Sequence, residues 1–102
     1  MLLKGATTVV AAPDGRVALC VAGPTSLATA GSGDVLSGIV AAFLARGLEP
    51  WLAACLGAQV HGLAARLGPS EGLVASDLPP LVSRELSRHV RDRREAQTAG
   101  AR

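Results

Sequence analysis

A chain of 102 residues has room for one domain and a modest core. Hydrophobic residues make up 49% of it, yet there is one Trp, one Phe and no Tyr, so the core must be aliphatic, as in closely packed helices on a sheet. The net charge of +2 is uneven: residues 1–83 hold four basic side chains against five acidic ones, residues 84–102 six arginines against three acids. The basic end interleaves its acids and carries no aromatics, which argues against nucleic-acid or membrane-surface partners.

The opening, Leu2-Leu3-Lys4-Gly5, reads as the last residues of a buried strand whose beginning is absent. Thr7 to Ala12 is a short β-rich run, Pro13-Asp14-Gly15 a turn, and Arg16 to Val21 a second run, so 7–21 predicts a hairpin. Gly23 to Ser26 is loop. From Gly33 to Arg46 the apolar positions Val35, Leu36, Ile39, Val40, Phe43 and Leu44 recur at helical spacing. The other face, Ser37, Gly38, Ala41, Ala42 and Ala45, is small and uncharged, which predicts a helix buried on both sides and stopped by Gly47.

Pro50 fits the first turn of a helix over 50–67 ended by Gly68-Pro69, with Leu52, Cys55, Leu56, Val60, Leu63 and Leu67 as its apolar set. Trp51 reads as a packing anchor for that helix start. Ser76-Asp77 resembles an N-cap before a last helix over about 78–93, with a stripe of Leu78, Val82, Leu86 and Val90 and arginines 84, 88 and 91 on another face. Residues 94–102 have nothing to pack and are expected to be disordered, leaving 1–93 as the domain portion. Two short strands cannot cover a helix that is apolar all round, so either a partner chain supplies the missing sheet or, the favoured reading, the chain is a fragment of a larger α/β domain.

Cys20 and Cys55 stand singly in apolar surroundings, as buried reduced thiols do. No basic-then-apolar leader opens the chain, and the run Val35 to Ala45 is too short to span a bilayer. A cytoplasmic protein with no membrane partner is expected.

Chemistry concentrates in Ala30-Gly31-Ser32-Gly33-Asp34. Alternate glycines let backbone N–H groups converge on an anion, and the helix that follows adds its positive end. Asp34 puts a carboxylate beside the same spot, which is unfavourable unless it has a chemical job, so the turn suggests phosphoryl chemistry. Lys4-Gly5-Ala6-Thr7-Thr8 supplies a mobile cation, a close-approach glycine and two hydroxyls ahead of it. His61, on a mostly apolar helix with no second ligand at metal spacing, reads as a hydrogen-bonded core residue, and Asp77 as a first-turn acid.

Together, Lys4 to Thr8, Pro13-Asp14-Gly15 and Leu27 to Gly38 resemble the C-terminal third of the ribokinase-like superfamily, most of all the nucleotide-dependent NAD(P)H-hydrate dehydratases. His61-Gly62-Leu63-Ala64 and Gly72 to Leu78 match in the same order, so the likeness covers about residues 2–82. It implies a three-layer α/β fold of hairpin and about three helices, with most of the parallel sheet missing.

The resemblance further implies ADP or ATP as co-substrate with Mg²⁺, and hydrated NADH or NADPH as substrate. Lys4, Gly5, Ala6, Thr7, Thr8 and Gly33 would bind nucleotide, and Gly31, Ser32 and Gly33 would form the anion hole. Asp34 would bind the substrate hydroxyl and act as general base; no protein-built metal site is implied. Ala30 stands where the family often has glycine, and Ser32 replaces threonine. Two alternatives stay open: a small-molecule kinase of the same superfamily acting on a vitamin precursor or sugar, and a non-catalytic nucleotide-binding or interaction module. The sequence leaves room for a homo-oligomer.

Overall fold

The computed structural model describes residues 1–4, 7–24, 31–69 and 71–100. Three strands, β1 (Leu2–Leu3), β2 (Thr8–Ala11) and β3 (Val17–Cys20), form an antiparallel sheet in that order. Leu2 lies opposite Val10, and Val10 opposite Ala18, so these three share one face of the pleat. The hairpin turn closes with Gly15 N–H donating to the Ala12 carbonyl at 3.1 Å and Ala12 N–H to Arg16 at 2.9 Å. The hairpin predicted over 7–21 is therefore present.

β1 differs from its reading as a buried strand end. It pairs with β2 at the edge of the sheet, and Leu3 is exposed with Leu19 and Val17 on the opposite face of the pleat. Both faces of this sheet are apolar, yet among the described residues only the Val10 face meets helices.

Helix α1 (Ser32–Ala45) and helix α2 (Pro50–Arg66) pack against each other, and α2 also lies on β2 and β3. The centre of α2 is built from small residues: Ala53, Gly57, Ala58, Gly62, Ala64 and Ala65 are buried. A Cβ on Gly57 would come within 2.6 Å of Val40 Cγ2, and one on Gly62 within 2.6 Å of the Gly23 backbone nitrogen. The helix is thus in contact on both sides through positions that carry almost no side chain.

Three expectations are corrected here. Leu52 and Leu56, predicted as part of the buried stripe of α2, are 44% and 40% exposed, because close approach to α1 and the sheet selects the small face. Ser37, Gly38, Ala41, Ala42 and Ala45 of α1 are exposed rather than buried, since α2 covers one side of α1 and no described residue covers the other. The cysteines are likewise half-buried and free; Cys20 Sγ lies 3.4 Å from Gln59 Oε1.

A 3₁₀ turn (Ala75–Asp77) leads into α3 (Leu78–Gly100). Asp77 Oδ2 accepts from Val74 N–H at 2.9 Å, so this acid fastens the turn. Leu78, Leu73 and Ala65 form a buried cluster with Val35 and Leu81 against it, which ties the first turn of α1 to α2 and α3. Glu85 anchors α3: it is fully buried, its Oε1 accepts from Arg88 at 3.1 Å, and His89 Nε2 lies 2.9 Å from the same oxygen. The helix runs on to Gly100 instead of stopping near Arg93, through positions expected to be disordered. Residues 91–99 contain no glycine or proline, so helical propensity continues it although every side chain there is exposed.

Candidate functional site

The site gathers where the end of β1, the start of α1 and the second half of α2 meet. Gly31 is the N-cap of α1 with φ 86°, in the left-handed region that side chains disfavour. It is also crowded: a Cβ would sit 3.1 Å from the Ala75 Cβ. Ser32 follows, 1% exposed. Gly33 faces open space, with nothing within 4 Å of where a Cβ would stand. Asp34 is exposed in the same first turn, its N–H donating to the Gly31 carbonyl at 3.1 Å, and Val35 N–H reaches the same oxygen at 3.3 Å. Ser37 Oγ donates to the Gly33 carbonyl at 2.9 Å.

Lys4, distant in sequence, donates from Nζ to Ser32 Oγ. Partial burial lowers its pKa below the ordinary lysine value. This bond joins the two motifs singled out in the sequence: an ammonium, a buried hydroxyl and the positive end of a helix converge on one turn, with a carboxylate beside it. The first turn of a helix offers amides that its own residues do not accept, and its dipole favours an anion there.

Of the other expected nucleotide-binding residues, Thr7 is exposed and Thr8 half-buried at the start of β2. Gly5 and Ala6, and Ala30 next to the N-cap, lie outside the described residues. Among the described residues no three His, Cys, Asp or Glu side chains gather as a metal ion would need, and no helix is long and apolar enough to cross a membrane.

His61 is the residue that the sequence reading undervalues. It is buried, as expected, and it lies inside the site, near the Lys4 ammonium and the Ser32 backbone. Burial, and then the nearby Lys4 ammonium, push its pKa below the ordinary histidine value, with the Ser32 backbone pulling the other way. Its Nε2 is buried without a partner among the described residues, an arrangement that costs about 1–3 kcal/mol. The signal was available in the dipeptide His61-Gly62: Gly62 lets α2 press against Ala22 and Gly23, which sets the depth of the imidazole.

The opposite end of α2 is built differently. Arg16 Nε meets Asp14 Oδ2 at 2.8 Å, Arg16 Nη2 meets Glu49 Oε1 at 3.2 Å, and the guanidinium lies 4.9 Å from the centre of the Trp51 ring. Trp51 thus does anchor the helix start, by stacking beneath the hairpin arginine. A cavity of about 500 Å³ beside it is lined mainly by apolar groups, among them Leu2, Val10, Pro13 and Trp51.

A family model described as NAD(P)H-hydrate dehydratase matches residues 1–88. The chain belongs to this family. Among its curated relatives, the bifunctional NAD(P)H-hydrate repair enzyme Nnr of Moorella thermoacetica is 47% identical over 97 residues, which are 88% of this chain and 18% of that protein. The ADP-dependent (S)-NAD(P)H-hydrate dehydratase of Neisseria meningitidis is 45% identical over 85 residues, 78% of this chain and 29% of the relative. A dehydratase named in the same way from Xanthomonas campestris is 41% identical, with 86% of this chain and 32% of its own length aligned. The chain therefore spans less than a third of each of these dehydratase-family relatives. The three-stranded antiparallel sheet and three helices are compatible with a portion of such an α/β fold.

Proposed function

We propose that this chain supplies the phosphoryl-transfer side of an ADP-dependent (S)-NAD(P)H-hydrate dehydratase site, which restores NADH or NADPH from the hydrated cofactor. The observation that carries this reading is the Lys4–Ser32 bond at a glycine-capped helix start with Asp34 in the same turn. Lys4, with Gly5, Ala6, Thr7, Thr8 and Gly33, holds the nucleotide; Gly31, Ser32 and Gly33 cradle the phosphoryl group in transit. Asp34, exposed and next to the cradle, takes the proton of the ring hydroxyl as its oxygen attacks phosphorus and AMP leaves. The phosphate then departs from carbon, driven by the ring nitrogen's lone pair, and loss of a ring proton restores the reduced nicotinamide.

Two of the relatives are named ADP-dependent, which supports ADP over ATP, and all three are named for hydrate dehydration or repair, which supports a dehydratase over a sugar or vitamin kinase. Mg²⁺ would neutralise phosphate charge. With no ligand cluster among the described side chains, the nucleotide's own phosphates are the group that would hold it. The match over residues 1–88 falls within the proposed domain portion of 1–93.

Incubation of this chain, joined to the rest of a dehydratase domain, with hydrated NADH and ADP tests the reading. Return of the reduced-nicotinamide absorbance, with AMP and phosphate formed in equal amounts, is expected. Stable phosphorylation of an unrelated alcohol with no absorbance change would replace the dehydratase by a kinase.

A further inference from the structure

The first turn of α1 is braced from outside by a segment that contributes no group to it. Gly31 has no room for a side chain, because the Cβ of Ala75 stands 3.1 Å from where its own would lie. Ala75 opens the 3₁₀ turn, and Leu73 and Leu78 on either side of that turn are buried with Ala65 of α2. Val35 packs against the same cluster. Residues 73–78 therefore meet α1 at Gly31 and again at Val35, the two ends of the turn that holds Ser32, Gly33 and Asp34. Those ends are also joined to each other: the Gly31 carbonyl accepts from Asp34 N–H at 3.1 Å and from Val35 N–H at 3.3 Å.

Asp77 keeps Ala75 in its place. Its Oδ2 accepts from Val74 N–H at 2.9 Å, and its own N–H donates to the Val74 carbonyl at 3.0 Å. Three residues are too few for a helical turn to hold by its own backbone bonds, so this double closure sets the shape of the segment. Among the described residues no other side chain hydrogen-bonds with residues 73–78. An acid that served only to start α3 would act on α3 alone. This one also fixes the residue that touches the N-cap of α1.

We propose that Asp77 is a positioning residue of the anion site: by closing the 3₁₀ turn it holds the Ala75 methyl against Gly31, and so holds the glycine cap from which the Ser32–Asp34 turn begins. The purpose of this brace rests on the nucleotide-site reading; its geometry does not. Without the closure Ala75 moves off Gly31, the glycine is free to take other backbone angles, and the first-turn amides leave the anion.

The test compares Asp77→Ala, Asp77→Asn and Ala75→Gly with wild type in the full chain. Amide hydrogen exchange without ligand is the first readout. D77A is expected to exchange about tenfold faster at Val74, Asp34 and Val35, with Ala53 and Ala58 in the middle of α2 unchanged, as loss of one cap implies. D77N keeps an acceptor oxygen and is expected to restore all three amides. A75G, which keeps Asp77 and removes the methyl, is expected to speed exchange at Asp34 and Val35. Calorimetric titration with inorganic phosphate and with ADP is the second readout: about tenfold weaker binding in D77A, recovered in D77N. The proposal is overturned by wild-type exchange at Asp34 and Val35 in D77A, by equal acceleration along the whole chain, or by a D77N no better than D77A. Should D77A not fold, A75G decides, and wild-type exchange at the same two amides overturns the proposal. Failure of wild type to bind either anion strikes the nucleotide-site reading alone, because the exchange comparison needs no ligand.

Discussion

The two ends of α2 solve opposite problems with similar residue types. At its start, Arg16, Asp14 and Glu49 are exposed and mutually paired, with Trp51 beneath, so the charges stay in water and merely fasten hairpin to helix. Towards its other end, Ser32 and His61 are buried with Lys4 half-covered beside them, and one imidazole nitrogen is left unpaired. Paired and wet is how a surface contact is built; a buried, unpaired nitrogen carries a cost, as does Glu85 Oε2, which is likewise buried without a partner among the described residues. The second end is the one that holds the residues on which the proposed function rests.

The sharpest way to break this contrast is at Asp34. In the joined domain, Asp34→Asn is expected to lower turnover by about 10²-fold or more, with ADP affinity little changed, measured as reduced-nicotinamide recovery against a calorimetric Kd. A general base at that position demands such a split; equal loss of both would make Asp34 a binding residue only.

Gly31→Ala comes next. It places a side chain at φ 86° and 3.1 Å from Ala75, so about 1–2 kcal/mol of stability should go, together with phosphate binding. Denaturant unfolding with and without phosphate measures both. Gly62→Ala should cost a similar amount, about 1–3 kcal/mol, because the atom met at 2.6 Å is backbone that cannot swing aside.

A pH titration separates the two ends without mutation. The folded His61 has its pKa below the ordinary 6.5, so the native chain binds fewer protons than the unfolded one. Its contribution is complete above about pH 6.5 and is lost as pH falls through the lower folded value. Chemical denaturation between pH 7 and 5 should show this fall, and H61F should flatten it. Asp14 titrates in a different window: its pKa is held below 3.8, chiefly by the Arg16 backbone N–H, so its contribution goes only in stronger acid.

The smallest effect belongs to Arg16→Ala, where exposed, solvent-screened pairs are lost. Its melting point should shift less than that of any site variant, and its phosphate affinity not at all. A large drop in affinity would mean that the two ends are coupled through α2.

Much of this was legible in the order of residues. Pro13-Asp14-Gly15 and Gly47 mark turns by local backbone preference, Pro50 marks a helix start, and the joint pattern from Lys4 to Leu78 marks the family. Local chemistry also placed Gly31, Ser32, Gly33 and Asp34 in a single turn. What needed the tertiary structure was every decision made by distance through space. Hydrophobic periodicity ranks residues by polarity, and so put Leu52 and Leu56 of α2 inside; close packing ranks them by size, and turned Gly57, Ala58 and Gly62 inward instead. The same packing brought Lys4 across to Ser32 and set His61 against them both, a meeting of three elements separated by 28 and more residues that no local pattern contains.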